Sequence, residues 1–219
     1  PLPTDMSDEN IFVPMQSVLT AIGEKVSEDT QLHYAQGCTV LGESTDGFAA
    51  AVAAAQQAEV AIVVVGDKSG LTKDCSTGEF RDRSTLTLPG VQEELVKAIV
   101  ATGTPTVVIY TNGRPVSSPW IAENAGAILE AWFPGEEGAP AIADVLFGDL
   151  NPGGKLPLTI ARNAGQIPLF YNHKPSGAKS FLYGPYVDGS NEPLYPFGFG
   201  LSYTTFELRD LELSATKAT

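Results

Sequence analysis

The sequence is poor in cysteine, in basic residues and in long apolar runs. Its two cysteines, Cys38 and Cys75, are too few for a disulfide scaffold in 219 residues, and the lack of a CxxC pair argues against structural zinc. Lysine and arginine total 13 against 26 aspartates and glutamates, a net charge of −13. Nucleic acids and anionic membranes are held by basic patches, so neither is expected as a partner, and a neutral or cationic ligand is easier to accommodate. No apolar run approaches the ~20 residues of a membrane span. No GxSxG elbow and no GxxxxGK[ST] loop occurs. The glycines of "FGFGLS" follow no buried strand and open no helix, so they are not a dinucleotide fingerprint. Histidine stands only at 33 and 173, beside no evident nucleophile. Neither metal nor cofactor is expected.

Hydrophobic content of 43% with 18% charge is that of an ordinary globular chain. The opening "PLPTDMSDEN" is Pro-rich, acidic and unlike a secretory leader; without an initiator Met it reads as a processed or cut start. After that, helical and strand patterns alternate. "SVLTAIGEKV" has helical spacing, "QLHYAQGC" reads as a short strand, and "DGFAAAVAAAQQA" reads as a helix capped by Asp46. "EVAIVVVG" and "TPTVVIYTNG" are β-branched runs expected to be buried on both faces. A helix over 91–102 stops at Gly103. "SSPWIAENA" is a short helix with a serine cap and Pro119 in its first turn. "GAILEAWFPG" reads as a strand, "GAPAIADVLFG" as a helix ending at Gly148, and "KLPLTI" as a last strand.

This alternation predicts an α/β fold, a mainly parallel sheet sandwiched by helices, over residues 1–160. Residues 161–203 lose helical periodicity and read as an irregular segment completing the sandwich. Residues 204–219 begin a strand-like stretch leading toward an all-β module.

Ligands of open parallel sheets bind beyond the carboxyl ends of the strands. The segment leaving "VAIVVVG" holds "DCSTGEFRDRSTLTLPG", far longer than a plain strand-to-helix connector needs. Within it Glu79 lies between Gly78 and Phe80. An aromatic neighbour and partial burial would keep a proton on that carboxyl for donation. Glycosidic bond cleavage uses such an acid with a second, ionised carboxylate. The alternative from spacing alone is that Glu79 pairs with Arg81 or Arg83 on a solvated loop. Asp67, Asp74 and Glu43 are rivals in the same region. Trp132, at a strand end, is either a sugar platform or a core residue. Arg114 and Asn112 read as loop organisers.

"GEFRDRSTLTLPGVQEELV", "TNGRPVSSPWIAENAGAILEAWFPGEEGAPAIADVLFGDLNPGGKLPLTI" and "PLYPFGFGLSYTTFEL" together resemble the C-terminal part of the family 3 glycoside hydrolases, the β-glucosidase and β-xylosidase group. The resemblance runs from about residue 17 to 213 and rests on several motifs in order. It implies a retaining, exo-acting β-glycosidase with an active site shared between two domains. An N-terminal barrel would carry the nucleophilic Asp, and Glu79, three residues before Asp82-Arg83, would be the acid/base. Phe80 and Trp132 are the candidate substrate-binding residues. The substrate would be a β-linked glucoside or xyloside. No segment matches the barrel, a first strand of the type "VAVIGP" is missing, and the chain stops where a fibronectin-like domain would begin. The chain alone is therefore expected to be incomplete as an enzyme, with the barrel as partner.

Two rivals remain: a non-catalytic carbohydrate-binding or scaffolding domain of the same fold, and a nucleotide-binding domain. The second lacks a phosphate-cradling loop. Cys38 and Cys75 both follow segments read as strands, so they are expected near each other, where a bond would tether the root of the Glu79 loop.

Overall fold

The computed structural model describes residues 15–172, 174, 184–215 and 217. Residues 1–14 and His173, discussed above, lie outside the described residues. Three strands, β1 (Ala61–Gly66), β2 (Thr106–Thr111) and β3 (Ala127–Glu130), form a parallel sheet in the order β1-β2-β3. The register pairs Val63 with Val108, Val65 with Tyr110, and Tyr110 with Glu130.

Side chains alternate across a strand, so Val63, Val65, Val108 and Tyr110 share one face. Against that face pack Ala51 and Ala55 of α2 (Phe48–Gln56), Leu95, Val96 and Ile99 of α3 (Gln92–Val100), and Ile121 of α4 (Pro119–Asn124). This is the main core. A second cluster joins Ala21 of α1 (Val18–Lys25) to Ala139 and Ala143 of α5 (Gly138–Phe147). Lys25 pairs with Asp144 and with Asp149, 2.7 Å away for the latter, across that contact. The expected helix ends hold: Ser118 Oγ accepts from the Ile121 amide, Pro119 sits in the first turn, and Gly148 closes α5 in the left-handed conformation.

Several expectations fail for identifiable reasons. "QLHYAQGC" is not a strand: Gln31 to Tyr34 are exposed and have no neighbouring ladder. Cys38 thus follows no strand, and both cysteines are free thiols. Asp46 does not cap α2; Gly47 occupies the cap position with no side-chain hydrogen bond. β1 is not buried on both faces, because Val64 is 46% exposed on the side away from the main core. "KLPLTI" forms only an isolated antiparallel bridge, Ile160 with Tyr195. Leu156 meets the same segment, its amide donating to the Phe199 carbonyl (2.8 Å) and its carbonyl accepting from the Gly198 amide (2.8 Å), but no continuous ladder joins the two contacts. Beyond Leu201 no strand forms among the described residues: Phe206, Leu208, Leu211 and Leu213 alternate as in a strand but are exposed.

The edge of β1 away from β2 is closed at its end by one side chain. Gln92, buried at the start of α3, donates from Nε2 to the Gly66 carbonyl (2.9 Å) and accepts at Oε1 from the Gly66 amide (2.8 Å). The same Nε2 also lies within hydrogen-bond distance of the Val40 and Pro89 carbonyls, at 3.1 Å each. The side-chain amide therefore does what a neighbouring strand would do. Gly66 is required there: its φ is +149°, and an added Cβ would lie 1.9 Å from the Thr111 carbonyl oxygen.

Gln92→Leu keeps the volume and strands both Gly66 groups. Leaving a buried donor or acceptor unpaired costs roughly 1–3 kcal/mol each, so a loss of about 2–6 kcal/mol is expected in denaturant unfolding. A loss below about 1 kcal/mol would mean that water replaces the amide.

Candidate active site

Parallel pairing brings the segments after β1, β2 and β3 to one edge of the sheet. Neighbouring strands lie ~4.8 Å apart, so the outlets of β1 and β3 are separated by about 10 Å. The three outlets are stitched together by backbone. The Asp67 amide donates to Thr111 (2.8 Å), and the Asn112 amide donates to Trp132 (3.2 Å).

The long segment after β1 carries Glu79 at its apex. Glu79 is exposed, and Phe80 beside it is 94% exposed with a positive φ of 63°. Phe80 therefore does not provide the apolar shelter expected of it. The pairing of Glu79 with Arg81 or Arg83 is not found either. Arg81 donates to the carbonyls of Cys75 (2.8 Å) and Lys73 (3.1 Å), and Arg83 donates to Thr85 Oγ1 (3.1 Å). Among the described residues no ion pair involves Glu79.

The rival carboxylates differ. Lys68 pairs with Asp74 and, with the Thr72 hydroxyl, holds its carboxyl down at about 2. Asp74 is thus ionised at neutral pH and is no proton donor. Asp67 is buried with its side chain fully covered, accepts from Ser76 Oγ (2.7 Å) and faces Arg114 (2.9 Å), so it cannot reach a sugar. Glu43 is exposed beside the return of the loop, where the Val91 amide donates to Gly42.

At the outlet of β3 the chain turns sharply. Trp132 is half-buried with φ of 53°, and its amide donates to Glu130 Oε1 (3.2 Å). It is not among the residues packed on the main core, where the indole is that of Trp120. Gly113 lets Phe133 lie over the end of β2; a Cβ there would meet the ring at 2.5 Å. Glu130 shares a sheet face with Tyr110, the core side, and this explains its burial. Burial pushes its carboxyl up to about 7, against the opposing pull of the Trp132 amide and of Asn112. Asn112 is itself wholly buried, and its amide makes no hydrogen bond of good geometry.

Glu79, Asn112, Arg114 and Trp132 thus stand on one edge, as the sequence implied. Glu130 and Gln92 were overlooked. The signal for Gln92 was a polar residue on the apolar stripe of its helix. Glu130 carried a fainter one, an acid at the end of an alternating strand. Among the described residues no group of three or more His, Cys, Asp or Glu side chains is placed to hold a metal ion, and no helix is long and apolar enough to cross a membrane.

Residues 5–203 match the family model described as the glycosyl hydrolase family 3 C-terminal domain. A β-xylosidase of Formosa agariphila is 44% identical over 200 residues, covering 91% of this chain and 27% of that protein. A periplasmic β-glucosidase of Salmonella typhimurium is 47% identical over 174 residues, 75% of this chain and 22% of that protein. Among solved structures, a β-glucosidase from Listeria innocua in complex with isofagomine superposes with a TM-score of 0.74 at 35% identity, over 89% of this chain and 27% of that one. The chain spans about a quarter of the length of the curated relatives it matches.

The half-buried Glu130 has a consequence for stability. Its folded value of about 7 lies above the ordinary 4.5, so between these pH values the folded chain holds a proton that the unfolded chain releases. Its contribution is therefore complete below the unfolded value and is lost as pH rises through about 7. Glu130→Gln keeps the acceptor for the Trp132 amide and removes the titration. The variant should match the parent at acid pH and exceed it at pH ~8 by roughly 1–3 kcal/mol. Unfolding midpoints across that range read this out; parallel pH curves would contradict it.

Proposed function

The chain belongs to the glycosyl hydrolase family 3 C-terminal domain, and from that premise we propose that it carries the acid/base half of a retaining β-glycosidase site. The observation that supports this most is the state of Glu79: an exposed carboxylate, free of ion pairs, at the apex of a loop whose base is fixed, on the ligand-binding edge of a parallel sheet. Asp67 and Asp74, its neighbours on the same loop, are both paired. A carboxylate that is held out unpaired is available to a substrate.

In this reading Glu79 protonates the glycosidic oxygen as the bond to the sugar breaks. A carboxylate nucleophile from another domain, an N-terminal barrel, takes the sugar as a covalent intermediate. Glu79 then removes a proton from the water that releases it. Each step needs Glu79 to begin in the right form. Glu79 is exposed in this chain. Shielding from water would come from the covering domain together with the bound sugar, with Phe80 turned into that interface. Trp132, at the outlet of β3, offers an apolar ring face to a sugar. The substrate class is a β-linked glucoside or xyloside, following the names of the relatives. The division into a sandwich to residue 160, a completing segment to 203 and the start of an all-β module from 204 is part of the same proposal.

The test is Glu79→Gln in the full-length protein. A sugar leaving group needs protonation and an activated aryl group needs little. The step in which the leaving group departs is read by kcat/KM, which should therefore fall by ~10²–10⁴-fold on a disaccharide and far less on an activated aryl glycoside, while the water step is common to both. The two carboxyl groups should stand about 5–5.5 Å apart in the assembled site. Equal losses on both substrates would remove Glu79 from this role. Sugar binding without hydrolysis in any form of the protein would leave a carbohydrate-binding domain instead.

A further inference from the structure

The Glu79 loop is anchored by something the acid/base reading does not require. Asp67 is the first residue after β1, and Arg114 follows β2 by three positions. Their side chains are 0% and 13% exposed, and Arg114 Nε lies 2.9 Å from Asp67 Oδ2. At that distance the charges attract strongly, although the N–H does not point squarely at the oxygen. Arg114 Nη2 also reaches Asp67 Oδ1 and Nη1 the Pro115 carbonyl, at 3.4 Å each, and the shorter hydrogen bonds of the pair go to the loop. On the outgoing arm, the Ser76 hydroxyl donates to Asp67 Oδ1 (2.7 Å) and accepts from the Lys68 amide (3.0 Å). On the return arm, Arg114 donates from Nη1 to the Thr85 carbonyl (3.1 Å) and from Nη2 to the Thr87 carbonyl (2.9 Å). Glu79 lies on the span between Ser76 and Thr85.

We propose that the buried Asp67–Arg114 pair is the positioning device of the acid/base loop, one ion pair that ties both arms and so sets where Glu79 is presented. Neither residue touches substrate. The inference rests on the reading of Glu79 as the acid/base. An ion pair taken out of water is a poor way to add stability, because desolvation offsets most of the attraction. Its use here is geometric. A guanidinium is a planar fork, able to hold a carboxylate and two carbonyls at fixed angles. An ammonium on a flexible stem can satisfy the charge but not all three partners. Proton transfer in turn depends on placement: a displacement of ~1 Å costs on the order of 10²-fold.

The experiment uses the full-length protein with three variants, Arg114→Lys, Ser76→Ala and Glu79→Gln. Arg114→Lys keeps the charge facing Asp67 and releases the return arm. It should lower kcat/KM by about 10–10²-fold on a disaccharide and much less on an activated aryl glycoside. Trypsin should also cut after Lys73, Arg81 or Arg83 several-fold faster, with sites elsewhere unaffected. A loss equal for both leaving groups, or unchanged kinetics and unchanged cleavage in a folded variant, would overturn the inference. Where Arg114→Lys does not fold, Ser76→Ala decides. It loosens only the outgoing arm and should show the same leaving-group split in weaker form; parental kinetics and cleavage in that variant overturn the inference. Glu79→Gln separates the two proposals. If it shows no leaving-group dependence, the acid/base reading falls and the positioning role with it. If it shows that dependence and Arg114→Lys does not, only the positioning role falls.

Discussion

A parallel sheet cannot turn back on itself without a crossover, so every strand here is left at its carboxyl end and entered again from the opposite side. That constraint organises the molecule. It puts the outlets of β1, β2 and β3 on one edge and sends the returning chain through helices packed on the sheet. It gives three consecutive segments, otherwise far apart in sequence, a common surface. The Glu79 loop, the Asn112–Arg114 corner and the Trp132 turn are neighbours only because their strands are parallel and adjacent.

Such an edge is polar and partly buried at once, and its backbone groups and charges have to be satisfied from within. Gln92 closes Gly66, Asp67 meets Ser76 and Arg114, and Arg114 takes two carbonyls of the loop. In energy these contacts mainly offset what burial costs. The net gain of one hydrogen bond is about 1 kcal/mol, and that of a buried ion pair is near zero or unfavourable. Removing one partner is a different matter, because the other is then stranded. The network therefore contributes less to overall stability than to the uniqueness of the arrangement. A loop whose two arms end on one ion pair has few ways to sit.

The candidate site is one-sided. Asp74 is ionised by its lysine, Asp67 is locked by its arginine, and Glu130 is half-buried against the core face and turned to the Trp132 amide. Of the carboxylates near the loop apex, Glu79 and Asp82 are both exposed and outside the ion pairs of the described residues, but Asp82 accepts from the Arg83 amide (2.7 Å). The acid/base role proposed for Glu79 would need a nucleophile from outside this sheet edge. The chain covers 27% and 22% of the two relatives.

Much of this was legible from local patterns. β-branched runs marked β1 and β2, helical spacing marked α1, α3 and α5, and Ser118, Pro119 and Gly148 marked helix ends, because propensity and capping act within a few residues. The motif around Glu79 marked the loop to look at. Where local pattern needed a distant partner, the reading failed. "QLHYAQGC" and the segment beyond Leu201 alternate like strands yet form none among the described residues, since a strand exists only where another offers its ladder. The exposure of Phe80, the burial of Glu130 and the pairing of Asp67 with Arg114, 47 positions apart, were likewise decided by tertiary structure. Sequence determines which groups are present and how each short stretch prefers to bend. Which charges meet, and which carboxylate is left in the open, follows from strand order and from what covers each face, and those are properties of the assembled sheet.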